Sequence, residues 1–313
     1  MAKILIIKLG SLGDIVQISG AIRDISESHK DDEIHMMTTK PYFDLFKKNP
    51  HISNVILDKR LSRLNLIYLY SLMKNLKKFK FSKVYDLQNS SRTSFYKRIL
   101  FPKATKDTWS STETTLPEGT TKEDFDKDSV LSRFNYQLKS SGINTNHTLS
   151  PDFSWSLSDI SQIKNYHQLE KYIVLFPFCS PHLTSKKWPY FNDLISIINE
   201  KLEDKFKVVI APGPGEIKDA SSINALCVLD NGKALDISQL AALIKDSSFV
   251  VANDTGPAHM TAHLGSKGIA LFGSQTTPFK VSFEWENFKA ITSPDLSKLS
   301  AEKVFDRLSE IVS

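Results

Sequence analysis

The chain has 313 residues, of which 41% are hydrophobic and 24% are charged, and its formal net charge is +5. This composition is typical of a globular protein, and the length suits about two domains of ordinary size. The sequence contains no apolar run of about 18 residues, which excludes a predicted membrane-spanning helix. The first residues do not form a secretory leader, and Cys179 and Cys227 form no motif, so a reducing, cytoplasmic setting is expected.

The positive charge is concentrated in one segment. Residues 51–100 contain eleven Lys or Arg and two acids, a net charge of +9, which leaves −4 for the rest of the chain. Such a concentration predicts a docking surface for an anionic partner, such as a phosphorylated substrate, membrane headgroups or nucleic acid. For any single lysine between Lys74 and Lys83, a solvated helix face is the simpler interpretation.

In the first half, Lys3 to Lys8 is predicted as a buried parallel strand, followed by a glycine turn and a helix with Asp14 at its start. The glycine spacing is G-x-x-G, and the second predicted strand, Glu33 to Thr38, ends without an acidic residue for a ribose, so a nicotinamide site is not expected. At a helix start, Asp14 suits the helix dipole, and it also faces the ligand crevice of an α/β domain. A helix cap and a general base are both open interpretations for it.

Two further strands are predicted at 54–57 and 83–87, with a helix from about 64 to 79 between them. Gln88 to Arg92 then forms a polar loop on the crevice side. Residues 104–128 show almost no apolar period and are predicted as a long mobile loop. A helix near 129–140 leads out of the first half.

The alternation of strand and helix restarts at Tyr172 to Phe176, which indicates a domain boundary before this strand. A basic loop rich in hydroxyl groups contains Lys186, and a helix at 191–202 follows it. A strand at 207–211 then ends in a glycine turn before Glu216, and a capped helix ends near Lys245. Alternation of this kind predicts a parallel sheet in each half.

The most informative stretch is 248–274. Its apolar run, Phe249 to Ala252, stops at Asn253-Asp254-Thr255-Gly256, and Pro257 suits the first turn of a helix. The free N–H groups at that helix start favour a bound phosphate. Asp254 fits beside a phosphate only if a sugar hydroxyl or a backbone N–H holds it, and a simple turn aspartate is the alternative.

Two histidines follow on the same predicted helix. His259 and His263 are four residues apart, which is compatible with metal ligation. The residues between them are Met-Thr-Ala, without the glutamate of a zinc motif, so a metal site is not predicted. His259 is the functional candidate because it lies near the phosphate end, whereas His263 is expected in packing or at the surface.

Three motifs together resemble those of the ADP-heptose:lipopolysaccharide heptosyltransferases, glycosyltransferase family 9. They are Ser11-Leu12-Gly13-Asp14, Lys186-Lys187-Trp188-Pro189, and Asn253 to His259 with Leu271-Phe272-Gly273. The resemblance implies an α/β fold of the GT-B type, with two Rossmann-like domains facing across a cleft and a C-terminal helix crossing back to the first. The implied parts are an acceptor domain at 1–160, a nucleotide-sugar domain at 161–297 and the returning helix at 298–313.

The resemblance also implies an activity: inverting transfer of heptose from ADP-heptose to a lipopolysaccharide inner-core acceptor, without metal or cofactor. Asp14 is similar to the family's catalytic base, and Lys186 would act at the diphosphate. The residues implied to contact the donor are Asp254, Thr255, Gly256, His259, Glu216, Thr184 and Ser185. The residues expected to bind the anionic glycolipid acceptor are Lys59, Arg60, Arg63, Gln88 and Arg92. The protein would then act in the cytoplasm, in peripheral contact with the inner membrane and without a nucleic-acid partner.

Three alternatives share this pattern: transfer of another nucleotide-linked sugar to a cell-envelope glycan, a nucleotide-sugar epimerase, and a non-catalytic binding protein. An epimerase would release an altered nucleotide sugar without an acceptor, and a binding protein would show no turnover. The 104–128 loop and Gln275-Thr276-Thr277, in place of P-T-D, depart from the family pattern. Either departure is compatible with a different sugar or acceptor.

Overall fold

The structure is a computed structural model that describes residues 1–180, 182–203 and 205–312. Contacts divide the chain into two compact α/β units, Met1–Trp155 and Ser156–Ser313. This division lies close to the boundary expected near residue 160. The expected third segment, 298–313, falls within the second unit, and its last residue, Ser313, lies outside the described residues.

The first unit contains a sheet of parallel strands in the order β3-β2-β1-β4-β5. The strands are β1 (Lys3–Ile7), β2 (Glu33–Thr38), β3 (Asn54–Leu57), β4 (Lys83–Asp86) and β5 (Trp109–Ser110). The helices described are α1 (Leu12–Gln17), α2 (Ser19–Ser28), α3 (Lys40–Phe46), α4 (Leu66–Lys77), α5 (Ser91–Leu100), α6 (Lys122–Phe125) and α7 (Val130–Lys139). The central strand β1 has neighbours on both sides, which explains why it reads as a continuous apolar run.

The second unit contains a parallel sheet in the order β11-β10-β9-β6-β7-β8. The strands are β6 (Tyr172–Phe176), β7 (Lys207–Ile210), β8 (Leu226–Cys227), β9 (Phe249–Asn253), β10 (Gly268–Phe272) and β11 (Phe288–Thr292). The helices described are α8 (Ser161–His167), α9 (Phe191–Lys201), α10 (Ile237–Asp246), α11 (Gly256–His263) and α12 (Ala301–Val312). The central strands β6 and β9 are buried along their whole length.

The C-terminal helix α12 packs within the second unit. Val304, Phe305 and Leu308 are buried in the same apolar core as residues of α9 and Trp188. The indole N–H of Trp188 donates to the carbonyl of Leu299, just before the helix, at 2.8 Å. These contacts fix the helix on the second unit, and its predicted return to the first domain stays a prediction.

The segment 104–128 contains regular structure, so the prediction of a structureless loop is wrong in part. Strand β5 pairs with β4 at the sheet edge, and Trp109 is buried there. The backbone N–H of Thr112 donates to the side-chain oxygen of Asn89 at 2.7 Å, and α6 buries Phe125. The apolar residues of this segment are too far apart to produce a period, but they still reach the core.

In both units the parallel strands bring the loops after their carboxyl ends to one edge of the sheet. In the first unit, these loops carry Asp14 after β1, residues 58–63 after β3 and Gln88 after β4. In the second unit, Lys186 follows β6, Glu216 follows β7 and Asp254 follows β9. These predicted site residues therefore lie at the edge of their own sheets where α/β folds generally bind ligands.

Candidate active site

An ion pair between Lys186 and Asp254 lies at this edge of the second sheet. The Lys186 Nζ is 2.5 Å from Asp254 Oδ2 and 3.5 Å from the Asp254 carbonyl oxygen. The side chains are 16% and 5% exposed, so water screens the pair little. The sequence placed both residues at the donor but did not predict their contact. The pair gives a second physical reason for an aspartate beside a helix start that the sequence predicts to bind phosphate.

The side chain of Asn253, at the end of β9, joins the loops that carry this pair. Asn253 is fully buried, and its Oδ1 accepts the Trp188 N–H at 3.1 Å while its Nδ2 donates to the Pro177 carbonyl at 2.9 Å. Sequence reasoning treated Asn253 only as the start of a turn. The available signal was an amide at the end of a buried strand, because such a group needs internal partners.

Helix α11 begins directly after Asp254. Thr255 is its N-cap residue and is extended, with φ −143° and ψ 176°, and its hydroxyl donates to the Asn253 carbonyl at 3.2 Å. Within the described part of the chain, the Thr255 side chain caps none of the N–H groups of the helix. Gly256 and Pro257 occupy the first turn. The helix start can therefore offer backbone N–H groups to an anion beside Lys186.

Both histidines of α11 are buried. The His259 ring packs edge-on against Phe283, with centroids 4.8 Å apart, and the His263 ring packs against Trp285 at 5.4 Å. Neither ring nitrogen of His263 has a hydrogen-bond partner among the described residues. Burial, with a smaller contribution from His259, lowers the pKa of His263 to about 3. His263 is thus a packing residue, and the phosphate contact of His259 stays a prediction.

His263 should make stability depend on pH. The folded state keeps its ring neutral down to about pH 3, whereas the unfolded chain protonates it near pH 6.5, so the free energy of unfolding falls as the pH drops below 6.5. Between about pH 7 and pH 5, His263→Leu should gain about 2 kcal/mol relative to the wild type. Urea unfolding of both proteins at the two pH values measures this, and parallel pH dependences would contradict it.

Glu216 lies on the loop after β7. One of its carboxylate oxygens accepts the backbone N–H of Gly213 at 2.8 Å. Burial raises the pKa of the Cys179 thiol. The charge of Lys187 lowers this pKa, the charge of Glu216 raises it, and Lys186 lowers it more weakly. Because Glu216 follows β7 and Lys186 follows β6, both lie at the carboxyl edge of the second sheet, and the ribose contact of Glu216 stays a prediction.

Thr184 and Ser185 are exposed and form a short 3-10 helix with Lys186. Their hydroxyls are thus open to solvent beside the ion pair. Gly273, after β10, packs against this turn, and a Cβ at that position would lie 3.3 Å from the Ser185 carbonyl oxygen. A larger residue at position 273 would therefore require the Ser185 carbonyl, next to Lys186, to shift by a few tenths of an ångström.

In the first unit, Asp14 lies in the first turn of α1. Its Oδ2 accepts the Ser11 N–H at 2.8 Å and the Ser11 hydroxyl at 3.2 Å, and its Oδ1 lies 3.9 Å from Lys8 Nζ. The Asp14 side chain is 39% exposed. The two interpretations from the sequence are therefore compatible, because the carboxylate holds the loop and is still accessible to a ligand.

Lys8, which sequence reasoning missed, is a buried ammonium group behind Asp14. Its Nζ donates to the Leu87 carbonyl at 3.0 Å and lies 5.3 Å from the centroid of the Phe134 ring. Burial lowers the pKa of Lys8, and the charges of Asp14 and Asp86 oppose this shift. Burial likewise raises the pKa of Asp86 to about 6. A lysine directly after a buried strand was the signal that could have identified it.

Gly10 allows the loop before Asp14 to pass closely over Tyr42. Its φ is +126°, and a Cβ there would lie 2.9 Å from the Tyr42 ring. Burial, and secondarily the charge of Asp14, raises the pKa of Tyr42. The Tyr42 ring, on α3, thus lies against the loop that leads to Asp14.

Two of the predicted acceptor residues are engaged within the first unit. The Gln88 Oε1 accepts the Leu9 N–H at 2.9 Å, which joins the loops after β1 and β4. The Arg92 Nε donates to the Tyr96 hydroxyl at 2.7 Å and lies 3.6 Å from the buried Asp58 carboxylate. These bonds show that both side chains position loops at the sheet edge, and their contact with an acceptor stays a prediction.

The other predicted acceptor residues are exposed: Lys59, Arg60 and Arg63. Arg63 donates to the Ser91 hydroxyl at 2.8 Å and lines a cavity of about 650 Å³. Lys97 and Arg98 also line this cavity, together with the acidic Glu113. The first unit therefore offers a cationic cavity near the loop after β3.

One cluster in the described residues has the spacing of a cation site: Asp24, Glu27 and His147, with candidate ligand atoms within 4.8 Å of one another. The Asp24 carboxylate accepts the backbone N–H groups of Asn146, His147 and Thr148, and also the Thr148 hydroxyl. These bonds attach residues 146–148 to α2. The cluster therefore has a structural role that is sufficient to explain it.

Solved glycosyltransferases have the same fold as this chain. A family 9 glycosyltransferase from Veillonella parvula aligns with TM-score 0.80 and 17% identity, covering 99% of this chain and 97% of its own. E. coli ADP-heptose lps heptosyltransferase II aligns with TM-score 0.74 and 15% identity, covering 99% of this chain and 98% of its own. E. coli heptosyltransferase WaaC with ADP-2-deoxy-2-fluoro heptose aligns with TM-score 0.72 and 17% identity, covering 98% of this chain and 99% of its own. The predicted GT-B fold class is thereby confirmed.

The sequence model of the family described as glycosyltransferase family 9 (heptosyltransferase) matches residues 69–305, well over half of the chain. No curated protein matches. The chain therefore belongs to glycosyltransferase family 9, as its motifs indicate, and it is a glycosyltransferase.

Proposed function

We propose that this glycosyltransferase moves heptose from ADP-heptose to the inner core of lipopolysaccharide, with inversion at the anomeric carbon. The observation that carries this proposal is the Lys186 and Asp254 ion pair beside the uncapped start of α11, in a chain of family 9. The related WaaC is described with an ADP-heptose analogue, and we extend that donor to this chain.

The proposed donor site lies in the second unit. The diphosphate accepts hydrogen bonds from the N–H groups at Thr255 and Gly256, and the Lys186 ammonium stabilises the charge that develops as ADP leaves. Asp254 then accepts a hydrogen bond from a heptose hydroxyl. We assign the remaining donor contacts as follows: phosphate to His259, Thr184 and Ser185, and ribose to Glu216. Lysine and helix dipole together supply the positive charge that a divalent metal supplies in other transferases.

The proposed base is Asp14. Its carboxylate takes the proton of the acceptor hydroxyl while that oxygen bonds to the anomeric carbon, and the bond to the β-phosphate oxygen breaks so that ADP leaves with the electron pair. The hydrogen bonds from Ser11 and the charge of Lys8 orient the carboxylate.

The proposed acceptor is an anionic glycolipid, which the enzyme meets from the cytoplasm in peripheral contact with the inner membrane. The exposed guanidinium and ammonium groups of Lys59, Arg60 and Arg63 suit phosphate and carboxylate groups on such a saccharide. Arg63 also lines the cationic cavity of the first unit. Arg92 donates to the Leu61 carbonyl in the loop that carries these residues, and Gln88 joins the loops after β1 and β4.

Calorimetric titration of ADP, UDP and NAD, with EDTA present, tests the donor. We expect ADP to bind more tightly than UDP or NAD. A transfer assay with ADP-heptose and a delipidated inner-core acceptor should then give a product of inverted configuration. Preference for UDP would reject the heptose donor in favour of another nucleotide sugar. Release of an altered nucleotide sugar without acceptor would indicate an epimerase.

Asp254→Asn tests recognition of the sugar separately from recognition of the nucleotide. The substitution removes the negative charge next to the diphosphate site, so ADP should bind at least as tightly as to the wild type. The charged acceptor for a sugar hydroxyl is lost, so the preference for ADP-heptose over ADP should fall by about tenfold or more. Competition calorimetry with both ligands measures the ratio. An unchanged ratio would show that Asp254 does not contact the sugar.

A further inference from the structure

An exposed apolar surface lies at the amino-terminal end of α4. Four neighbouring side chains are 88%, 75%, 85% and 64% exposed, and we call them the α4 surface: Leu64, Leu66, Ile67 and Tyr70. Adjacent apolar side chains of this size mark interaction sites on the surfaces of folded proteins.

The helix is fixed with this surface toward solvent. Its opposite side contributes three residues to the apolar core of the first unit: Leu69, Leu72 and Leu76. The side chain of Asn65 caps the helix start by accepting the Tyr68 N–H at 2.9 Å. The α4 surface is therefore not a core face that a small rotation of the helix could bury.

Positive charge borders the α4 surface on both sides. Three basic residues precede it, and three follow on the helix or at its C-cap: Lys59, Arg60 and Arg63, then Lys74, Lys77 and Lys78. No Asp or Glu occurs between positions 59 and 82. Ile67, Tyr70, Lys74 and Lys77 are three or four residues apart, so they share one stripe of the helix.

This charge pattern favours an anionic lipid leaflet over a second copy of the chain as the partner of the α4 surface. A second copy of the chain, docked through the same surface, would bring two sets of lysines and arginines together, and like charges oppose such contact. A lipid leaflet with anionic headgroups offers hydrocarbon to the apolar centre and negative charge to its border. No helix in the described residues is long and apolar enough to cross a membrane, so this contact would be peripheral.

The α4 surface lies next to the loop that follows the carboxyl end of β3. This loop is held from inside: Asp58 accepts the Arg60 N–H at 2.7 Å and the Tyr96 hydroxyl at 2.8 Å, and Arg92 donates to the Leu61 carbonyl at 2.7 Å. A loop fixed in this way loses little conformational freedom when it binds.

We propose that the α4 surface inserts shallowly into an anionic lipid leaflet while its flanking lysines and arginines contact the headgroups. The proposal deepens the proposed function by naming the surface that holds the enzyme on the membrane of its lipid-linked acceptor. Membrane binding itself requires neither donor nor acceptor. The two proposals can therefore fail separately.

Cosedimentation with vesicles tests the insertion. The wild type should bind vesicles of phosphatidylglycerol and phosphatidylcholine more strongly than vesicles of phosphatidylcholine alone. The double variant Leu66→Ser, Ile67→Ser should bind the anionic vesicles at least about tenfold more weakly. The control is Tyr166→Ser, which removes an 82% exposed aromatic side chain from α8 in the second unit and should change nothing.

A second pair of variants tests the charges. Lys74→Gln with Lys77→Gln should weaken binding by about fivefold for each charge removed. The matched control, Lys205→Gln with Lys218→Gln, removes two exposed lysines from the second unit and should bind as the wild type does. Loss in both pairs equally would show a response to net charge and would overturn the assignment to α4.

Other results of these experiments would overturn either the membrane proposal or the proposed function. Undiminished vesicle binding by the Leu66 and Ile67 double variant overturns the proposal, as does a wild-type dimer in ultracentrifugation that this variant dissociates. Transfer to a delipidated acceptor should be unchanged in the double variant, which shows that it is folded. Normal vesicle binding by a protein without heptosyl transfer would reject the proposed function and leave the membrane surface intact.

Discussion

Lys186→Ala is expected to lower ADP affinity and turnover together, each by about one hundredfold. The ammonium group contacts the diphosphate before and during departure, so its removal affects the bound ground state and the transition state alike. The substitution also leaves the Asp254 carboxylate, which is 5% exposed, without its partner and facing the anionic ligand. Calorimetric Kd values for ADP and kcat/KM for transfer measure the two losses.

The adjacent Lys187 provides the matched control. It is exposed, it carries the same charge on the same loop, and it follows the residue that contacts Asp254. Lys187→Ala should therefore retain ADP binding within a few-fold. Similar losses in both variants would indicate that the loop acts only through its net charge. Full ADP affinity in Lys186→Ala would remove the proposed diphosphate site.

Much of the fold could be predicted because buried parallel strands appear as short apolar runs. Tyr172 to Phe176 was predicted with the bounds that the structure shows, and Glu33–Thr38 likewise. Three of the four edge strands, β5, β8 and β11, lack this signal, whereas the edge strand β3 was predicted with its observed bounds. The two-residue β5 has no period, and β11 is only partly buried, so the sequence did not indicate either strand.

One helix that begins at a polar loop was also missed. Residues 88–92 were predicted as a loop, but α5 begins at Ser91 with Ser90 as its cap, which accepts the Thr93 N–H. Serine and threonine suit both turns and helix starts, so composition alone does not separate these states. Tertiary contacts decide the outcome, since Thr93 and Tyr96 are buried.

The site could be predicted to the level of a sheet edge but not to the level of atoms. The topology of parallel strands places Lys186 and Asp254 at the same edge, although they are 68 residues apart. Their contact depends on how Asn253 joins the two loops, which no local pattern expresses. Lys8 behind Asp14 is a similar case, because a buried charge is explained only by the groups around it.

Asp14→Asn is expected to lower turnover by about two to four orders of magnitude while ADP affinity stays nearly unchanged. Asparagine keeps an oxygen that can accept the Ser11 N–H, so the loop should keep its shape, but the amide does not take a proton from the acceptor hydroxyl. Single-turnover transfer measures the chemical step, and calorimetry with ADP measures binding. Asp14 and Lys186 therefore give opposite patterns, in which one variant loses chemistry alone and the other loses both.

Asp44→Asn is the control for Asp14→Asn. Asp44 is an exposed carboxylate on α3 of the same unit, where it pairs with Lys47 at 2.8 Å, and its loss should leave transfer unchanged. If Asp14→Asn retained turnover within a few-fold, the carboxylate would only cap the loop, and the base would have to be sought elsewhere. If it lost ADP affinity as strongly as Lys186→Ala, the division of roles between the two residues would be wrong. Loss of turnover alone would show that the carboxylate, rather than the loop it holds, moves the proton.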